Sequence, residues 1–288
     1  MTVIFIILAH KEPEQVARLA KRLSPHKVLV HIDSKVSPSN YQKFENCLAD
    51  ESNVKLLKRF RSAWASWGIV EASLEGLRSA LELTDCDWTH AMVISGEDYS
   101  IVNSTKISDF LSKYKDSSFI PNWELPHKIW GKDGGMYRLK YWHKPICKRR
   151  FFIPVPRKFP GNLTPYGGSM FWCLNREVVR YVINYVDKFQ KEVSFFKNVW
   201  IPDEIFIPTV VMNSPFKSTC INENLIYIRW SILGSPHPDY LDASDANEIK
   251  KAGSEPSIRG GKSRIKLFAR KIDASKGIPL MNILDNET

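Results

Sequence analysis

Three separated segments of the chain carry residue types that could act together on a sugar. The first is Trp200-Ile201-Pro202-Asp203-Glu204, an acidic pair at the expected start of a helix. An aromatic and glycine-rich segment, residues 166–172, precedes it, and a basic segment, Leu267-Phe268-Ala269-Arg270-Lys271, follows it. A carboxylate can accept a proton from an attacking hydroxyl, and fixed cations can stabilise a departing diphosphate. Together the segments favour a sugar-transfer site.

The same residues also have a plain structural interpretation. Acidic side chains in the first turn of a helix interact favourably with its dipole, so Asp203 and Glu204 could serve only to start a helix. The basic segment could lie on a solvated face, as most charge runs do. From the residues alone, both interpretations stay open.

The composition is that of a globular protein with excess positive charge. Of 288 residues, 43% are hydrophobic, which is enough for a substantial core and too many for a disordered chain. The formal net charge is +10 and the pI is near 9.3. This charge favours polyanions, anionic membrane surfaces or phosphorylated small molecules as partners, without choosing among them.

Neither a disulfide framework nor a membrane span is indicated by the sequence. Dispersed cysteines without a CxxC pair are typical of reduced thiols, and they stand at Cys47, Cys86, Cys147, Cys173 and Cys220. The apolar run at residues 3–9 is too short to span a bilayer and lacks the basic start of a signal peptide. We therefore expect a cytoplasmic protein whose basic surface could touch a membrane.

Strands alternate with helices in the first third of the chain. Strand patterns cover residues 3–9, 28–33 and 91–94, and helical patterns begin at Pro13 and cover residues 67–83. This alternation predicts an α/β fold with a mainly parallel central sheet flanked by helices.

Acidic residues follow two of these strands. Ligands of parallel α/β sheets bind beyond the carboxyl ends of the strands. Asp33 lies at such an end, and so does Glu97-Asp98. The sequence therefore predicts a ligand site along this edge.

We expect one domain over residues 1–288, with a nucleotide-binding half at 1–120. The acceptor and catalytic half would be 121–288, ending in the basic tail. Long loops over the site are predicted at 122–165, Asn175 is predicted to cap a helix, and a mobile loop is predicted within 242–266, around Gly260-Gly261.

A metal site is not predicted. Many nucleotide-sugar transferases place Asp-x-Asp after a strand to hold a divalent cation, but Asp85-Cys86-Asp87 precedes its strand and is better explained as a solvated turn. The strand end itself reads Ser95-Gly96-Glu97-Asp98-Tyr99, which does not copy the chelating pattern. Fixed Arg and Lys groups would then neutralise a leaving diphosphate.

Eight short motifs in order give the chain a family resemblance from Ile4 to about Asp273. They are Ile7-Leu8-Ala9-His10-Lys11, Val30-His31-Ile32-Asp33-Ser34-Lys35, Ala65-Ser66-Trp67-Gly68, Ile94-Ser95-Gly96-Glu97-Asp98-Tyr99, Tyr166-Gly167-Gly168-Ser169, Pro202-Asp203-Glu204, Gly234-Ser235-Pro236-His237-Pro238 and Leu267-Phe268-Ala269-Arg270-Lys271. In these motifs the chain resembles the core-2/I-branching β-1,6-N-acetylglucosaminyltransferases and the peptide O-xylosyltransferases, which form one glycosyltransferase family.

The resemblance implies a variant GT-A-like fold, an inverting mechanism and no required metal or other cofactor. Glu204 matches the family's catalytic base, and one base suffices for inversion in a single displacement. Lys271 matches the diphosphate-binding lysine. Arg229 is the first candidate for its arginine partner, with Arg259, Lys262 and Arg264 as alternatives.

Further donor and acceptor contacts are predicted with less support from motifs. Asp33 matches the family's nucleotide-binding acid. Asp98, with Glu97, could orient the donor, although a structural turn explains them equally well. Trp67 is expected in the core, whereas Trp123, Trp130 and Trp142 are candidates for stacking on an acceptor sugar. Glu124 is a further candidate acceptor contact.

The leading hypothesis is transfer of a sugar from a UDP donor to a hydroxyl of a glycan or peptide. UDP-N-acetylglucosamine is the first expectation for the donor and UDP-xylose the second. The chain looks like a compact bacterial relative that builds a capsule or lipopolysaccharide glycan. The alternative is a non-catalytic basic protein that binds sugar or nucleic acid. Nucleic acid is disfavoured, because acids at the strand ends would repel phosphates.

Overall fold

The structure is a computed structural model that describes residues 1–146, 149–232, 235, 237–254, 258–259, 262–263 and 265–286. For residues 145–146, 149–150, 258–259 and 262–263 it describes the backbone alone. Several residues named from sequence therefore lie outside the described ones: Cys147, Gly234, Pro236, Gly260, Gly261, Arg264 and the side chains of Arg259 and Lys262.

The described chain alternates short strands and helices throughout. The strands are β1 (Thr2–Ala9), β2 (Lys27–Ile32), β3 (Val54–Leu56), β4 (Trp88–Ser95), β5 (Asp98–Ser100), β6 (Ser118–Phe119), β7 (Asn122–Glu124), β8 (Trp142–Ile146), β9 (Arg149–Ile153), β10 (Tyr166–Gly168), β11 (Cys173–Asn175), β12 (Cys220–Ile221), β13 (Ile226–Ile228), β14 (Ile258–Arg259), β15 (Lys262–Ser263) and β16 (Phe268–Arg270). The α-helices are α1 (Pro13–Arg22), α2 (Pro38–Leu48), α3 (Trp67–Glu82), α4 (Ser104–Lys113), α5 (Tyr137–Lys140), α6 (Arg176–Lys188), α7 (Gln190–Phe196), α8 (Phe206–Met212), α9 (Ala246–Ser254) and α10 (Ile278–Asp285). Single 3₁₀ turns occur at Lys128–Trp130, Pro202–Glu204, Lys217–Thr219 and Ala243–Asp245.

The central sheet has seven strands in the order β12-β6-β11-β4-β1-β2-β3. The four strands β4, β1, β2 and β3 run parallel, and β11 is antiparallel to both of its neighbours. Their carboxyl ends therefore meet at one edge, as the sequence predicted. The α/β class with a mainly parallel sheet is confirmed, and the architecture is consistent with the GT-A-like variant that the resemblance implies.

Strand β1 is apolar at nearly every position because both faces of the sheet are covered. Val3, Phe5 and Ile7 point into one hydrophobic cluster, while Ile4 and Ile6 point into another. This division follows from the two-residue repeat of a strand. All five side chains are fully buried, which fixes the sheet between two layers.

Helices α1 and α3 cover opposite faces of β1. Helix α1 starts with Pro13 and buries Val16 and Leu19, the face that its periodicity predicted. Helix α3 approaches closely at Gly76, where an added Cβ would lie 2.5 Å from Ile6 Cγ2. A larger residue there would push the helix away from the sheet.

A second sheet of three strands, β13-β16-β5, forms beside the edge of the central sheet. Strands β13 and β16 are parallel, with Ile228 opposite Arg270, and β16 is antiparallel to β5. This sheet brings the basic tail back to the first half of the chain.

These elements bear on two local predictions. Asn175 caps α6 by accepting a hydrogen bond from Val178 N at 2.9 Å, as predicted. The mobile loop predicted within 242–266 stays a prediction, because Gly260-Gly261 lies outside the described residues, while residues 242–254 of that range form a 3₁₀ turn and α9. There Asp242 and Asp245 make a reciprocal capping box and Ile249 is fully buried, so the polar stretch has an amphipathic face.

The segment 122–165 is less regular than its surroundings, as predicted, but it holds β7, α5 and the hairpin β8–β9.

The described cysteines, Cys47, Cys86, Cys173 and Cys220, are all free thiols. Within the described part of the chain, the helices are too short or too polar to cross a bilayer.

Candidate active site

The carboxyl ends of three parallel strands place charged residues along one edge. His10 and Lys11 follow β1, Asp33 follows β2, and Glu97 follows β4. Lys11, His10 and Glu97 line a small cleft there with Leu8, Ser95 and Gly96. The site predicted at this edge is therefore a cluster of both signs of charge.

Glu97 lies between two lysines. Lys11 Nζ is 2.8 Å from Glu97 Oε1, and Lys271 Nζ is 3.1 Å from Glu97 Oε2. Burial opposes ionisation of Glu97, but hydrogen bonds from the two lysines outweigh it, so its pKa is lowered. One carboxylate thus holds two ammonium groups in place, and Glu12 Oε1, 3.5 Å from Lys11 Nζ, supplies a second counter-charge.

Arg229 and Lys271 leave adjacent parallel strands at the same level. Because Ile228 pairs with Arg270, the next residues of both strands are these two cations. The linking residue is Asp239, whose backbone oxygen accepts from Lys271 N at 3.3 Å and whose backbone N–H donates to Arg229 O at 3.0 Å. The structure thus makes Arg229 and Lys271 neighbours, and their pairing on a diphosphate stays a prediction.

The guanidinium of Arg229 is already engaged. It contacts Asp239 Oδ2 at 3.2 Å and also bonds to Asp245 Oδ1. Lys271 Nζ, which is paired with Glu97, also lies 5.0 Å from the ring centroid of the half-exposed Tyr240. The charges of both cations are therefore partly offset by carboxylates, and their contact with a diphosphate stays a prediction.

Asp98, predicted to orient the donor, is fully buried. Its carboxylate accepts from Arg270 at 2.8 Å and from Ser95 N at 2.7 Å. Burial raises the pKa of Asp98, and Arg270 opposes that shift. In this structure the Asp98 side chain ties the basic tail to the end of β4. Any effect of Asp98 on the donor would therefore be indirect, through the position of Arg270 and Lys271.

Asp33 closes a turn at the end of β2. Its Oδ1 accepts from Lys35 N at 2.9 Å, and its backbone oxygen accepts from Arg59 at 3.0 Å. The residue is only 7% exposed, and its charge, like that of Glu97, acts on the nearby His10. Its role in nucleotide binding stays a prediction.

Glu204 lies in the 3₁₀ turn before α8. Its carboxylate accepts from Arg138 at 2.7 Å and remains 34% exposed, whereas Arg138 is only 11% exposed. Neither Asp203 nor Glu204 makes a capping hydrogen bond to the turn or to α8. The arrangement is that of a carboxylate held by a buried cation and open to solvent, rather than of a helix cap.

Asp203 points the other way. It is 8% exposed, and its Oδ1 has no hydrogen-bond partner among the described residues. Burial raises the pKa of Asp203 to about 7, and the neighbouring Glu204 adds to the shift. The backbone ahead is strained as well, because Ile201 is β-branched and has φ 55°.

Aromatic rings support Arg138. Its guanidinium carbon lies 3.8 Å from the ring centroid of Trp130, which meets Trp123 edge to face at 5.4 Å. Gly167 lies against both rings, since an added Cβ would be 2.5 Å from Trp130 Cη2 and 2.8 Å from Trp123 Nε1. The predicted acceptor tryptophans are thus beside the Glu204 cluster and half-buried.

Other predicted acceptor residues are spread around this cluster. Glu124 is exposed and lies 3.4 Å from the hydroxyl of Tyr166, which also accepts from Lys217 at 3.0 Å. Trp142 lies on the hairpin β8–β9. Trp67, expected in the core, packs edge to face on Phe206 at 5.0 Å.

One segment joins the edge cluster to the Glu204 cluster. Arg59 donates to the backbone of Asp33, and Phe60 N donates to His31 beneath it. Trp64, four residues after Phe60, meets Trp200 edge to face at 5.3 Å. Residues 59–64 therefore contact both clusters.

Asp85-Cys86-Asp87 forms a bend before β4. Asp85 pairs with Lys27 and Asp87 with Arg176, and both acids are exposed. Among the described residues, no group of three or more His, Cys, Asp or Glu is placed to hold a metal ion. The prediction of a solvated turn is confirmed.

Sequence reasoning missed Lys11 and Arg138 as site residues. Lys11 follows β1 just as Asp33 follows β2, so the strand-end rule could have identified it. Arg138 lies 66 positions before Glu204 in an irregular segment, and no motif marks it. Its role depends on tertiary packing alone.

Comparison with known families identifies the chain. A model of the Core-2/I-branching enzyme family matches residues 3–251. The chain belongs to this family. The resemblance stated from its motifs and the glycosyltransferase class that it implies are confirmed.

The curated relatives found are xylosyltransferases. Human xylosyltransferase 1 is 27% identical over 236 residues, which cover 80% of this chain and 24% of that protein. The xylosyltransferase of Ciona intestinalis is 24% identical over 292 residues, covering 98% and 34%. Mouse xylosyltransferase 2 is 24% identical over 291 residues, covering 98% and 33%. This family member thus spans about a quarter to a third of the length of these relatives.

Solved structures show only a distant likeness. A 4-diphosphocytidyl-2C-methyl-D-erythritol synthase from Anaerococcus prevotii has a TM-score of 0.34 and 9% identity, covering 68% of this chain and 81% of that one. TarS from S. aureus has a TM-score of 0.32 and 12% identity, covering 62% and 48%. At this level the likeness carries no argument about the site.

Proposed function

We propose that this family member transfers a sugar from a UDP donor to a hydroxyl of a glycan or peptide, with inversion at the anomeric carbon. Glu204 is the general base. The observation that carries this proposal is its carboxylate, one-third exposed and held by the largely buried Arg138, whose guanidinium lies over the Trp130 ring.

The chemistry needs one proton acceptor and one anion site. As the acceptor oxygen attacks the anomeric carbon, the Glu204 carboxylate takes its proton and the bond from that carbon to the diphosphate oxygen breaks. Arg138 fixes the direction of the carboxylate through a charge-assisted hydrogen bond of 2.7 Å. A single displacement of this kind inverts the configuration.

The leaving UDP takes negative charge to the edge cluster. Lys271, held by Glu97 with Lys11 beside it, supplies the fixed cations, and Arg229 on the adjacent strand is the second candidate. Preorganised cations stabilise the diphosphate without further rearrangement. This arrangement supports a reaction that needs no divalent metal.

For the donor sugar and the acceptor we propose candidates rather than a single assignment. UDP-N-acetylglucosamine is proposed as the first donor to test, and UDP-xylose, favoured by the names of the curated relatives, as the second. Trp123, Trp130 and Glu124 border the Glu204 cluster and are proposed as acceptor contacts. A cytoplasmic bacterial protein that touches an anionic membrane remains our prediction from charge and motifs.

The first test is calorimetric titration with UDP in excess EDTA. We expect saturable binding that Lys271→Ala weakens by roughly tenfold or more, because a charged hydrogen bond to phosphate is lost. Lys276→Ala, an exposed lysine five residues on, is the matched control and should leave the affinity unchanged. Binding that appears only with Mn²⁺ would refute metal independence, and no binding in either condition would refute the UDP site.

The second test measures release of UDP from each donor. Slow hydrolysis of the correct donor is expected even without an acceptor, which removes the need to know the acceptor first. If neither UDP-N-acetylglucosamine nor UDP-xylose is turned over while UDP itself binds, the proposed donors are wrong although the nucleotide site stands.

A further inference from the structure

The hairpin β8–β9 forms a sheet of its own, apart from the sheets that build the site. Trp142 pairs with Ile153 and Lys144 with Phe151, so these four side chains share one face. That face is open to solvent: Trp142 is 41% exposed, Phe151 52% and Ile153 56%. Val155, just beyond the hairpin, is 57% exposed. The structure thus presents large apolar side chains together at the surface.

His143 and Arg157 fasten the hairpin to the body, although Phe152, which pairs with His143, is 50% exposed. His143 is 1% exposed, and its backbone N–H donates to Asn198 O at 2.9 Å. Arg157 donates to the same oxygen at 3.1 Å and lies 4.5 Å from the ring centroid of Trp142. These contacts hold the outer face in one orientation.

The surrounding sequence is strongly basic. Between Asp133 and Glu177 there is no acidic residue, and the stretch contains Arg138, Lys140, Lys144, Lys148, Arg149, Arg150, Arg157, Lys158 and Arg176. Of these, Lys140, Lys144 and Lys158 are exposed. Apolar exposure and one-sided charge therefore coincide in the same part of the chain.

We propose that the outer face of this hairpin docks on an anionic lipid surface. Trp142, Phe151 and Ile153 would enter the headgroup region, with Lys144 among the phosphates. Aromatic and aliphatic side chains flanked by Lys and Arg are what such an interface binds. A soluble polyanion would use the charge and the rings but would gain nothing from exposed Ile153 and Val155.

The hairpin contacts the surroundings of the general base through His143, whose ring centroid lies 6.1 Å from that of Trp200. Trp200 N donates to Arg138 O at 3.3 Å, and Arg138 holds Glu204. Docking would therefore bring the Glu204 cluster toward the lipid surface. An acceptor carried on a lipid would then meet the base without leaving the membrane.

Flotation of the purified protein with lipid vesicles tests the proposal. We expect binding to vesicles that mix phosphatidylcholine with phosphatidylglycerol, no binding to phosphatidylcholine alone, and weaker binding at high salt. Ile153→Ser should lower the partition coefficient roughly fivefold, because its apolar side chain no longer enters the interface. Ile278→Ser is the matched control, since Ile278 is 47% exposed at the start of α10, and should change nothing.

Insertion of Trp142 into the lipid is tested by tryptophan fluorescence with brominated lipid. We expect the lipid to quench the fluorescence of the unaltered protein, and to quench that of Trp142→Phe less. Thermal unfolding checks that each variant is folded. Equal partition of Ile153→Ser and Ile278→Ser would overturn the proposal. So would tight binding to heparin that Ile153→Ser leaves unchanged together with no binding to anionic vesicles, which would identify a soluble polyanion as the partner.

Discussion

The edge cluster around Glu97 is built on strand ends, whereas the cluster around Glu204 is built on a 3₁₀ turn and an irregular segment. At the edge, sheet register places Lys11, Asp33 and Glu97 within reach of one another. Around Glu204, the carboxylate is directed by Arg138 and by ring packing of Trp130. Charge placement therefore depends on backbone pairing in one region and on side-chain packing in the other.

This difference separates binding from chemistry. Strand ends can hold a nucleotide diphosphate in a fixed place, while irregular segments can differ between relatives and so select different acceptors. Substitutions in the two regions should accordingly affect different kinetic constants. Two variants near Glu204 test the kinetic part of that division, and two further variants test the stability of each region.

Glu204→Gln should have the largest effect. Loss of the base is expected to lower kcat about 10²–10⁴-fold while the affinity for UDP stays the same. Glu124→Gln is the comparison, an exposed acid nearby that should raise the acceptor KM with little change in kcat. Steady-state kinetics and UDP titration of both variants give the answer, and near-normal turnover by Glu204→Gln would remove it as the base.

Asp98→Asn should cost the most stability at the edge. It leaves the Arg270 guanidinium buried without its counter-charge, which is expected to lower the free energy of unfolding by about 3–5 kcal/mol. Urea unfolding measures the change. Asp85→Asn breaks a surface ion pair and should have little effect, so equal losses in both variants would contradict the structural role assigned to Asp98.

Asp203 should make stability depend on pH. Its pKa is about 7 in the folded chain against an ordinary 3.8, so between these values the folded state keeps a proton that the unfolded state has lost. The free energy of unfolding therefore falls as pH rises through this window. Asp203→Asn cannot titrate and should gain on the order of 2 kcal/mol relative to the unaltered protein from about pH 5 to about pH 8.

Urea unfolding at the two pH values measures this difference. Glu177→Gln, which changes an exposed acid on α6, is the control. The difference between its free energy of unfolding and that of the unaltered protein should be the same at both pH values. A difference for Asp203→Asn that is equally independent of pH would mean that Asp203 is ionised throughout.

Gly167→Ala should lower stability modestly and still disturb the chemistry. An added methyl group displaces Trp130, at a cost of about 1–3 kcal/mol, and withdraws the ring from Arg138. We expect reduced kcat with unchanged UDP affinity. Gly161→Ala, where an added Cβ meets nothing within 4 Å, is the control, and equal activity of both variants would show that the rings do not position Arg138.

The sequence predicted the edge well and the Glu204 surroundings poorly. Apolar runs and strand ends are local patterns, so the sheet, Asp33 and Glu97 could be located from them. Motif resemblance singled out Glu204 and Lys271. Nothing local marked Arg138, because its partner is distant in the chain and the contact arises only after folding.

The polar segment 242–254 shows a second limit. Its polar composition did not predict a helix, but Ile249 packs on the core and the capping acids Asp242 and Asp245 close a 3₁₀ turn ahead of α9. Similarly, the ion pairs that occupy Arg229 were not visible from its position after a strand. Short-range patterns predict an element's type best when its apolar repeat is strong.

The parallel pairing of β13 and β16 has a consequence for how this family can vary. Arg229 and Lys271 are placed by the sheet, so the chain between them need not hold them together. Its two flanks meet at Lys266 N and Ala252 O, 2.9 Å apart. Doubling the length of a closed flexible loop costs only about 0.6 kcal/mol. Changes of length in the chain between β13 and β16 should therefore be tolerated in evolution while the two cations keep their places.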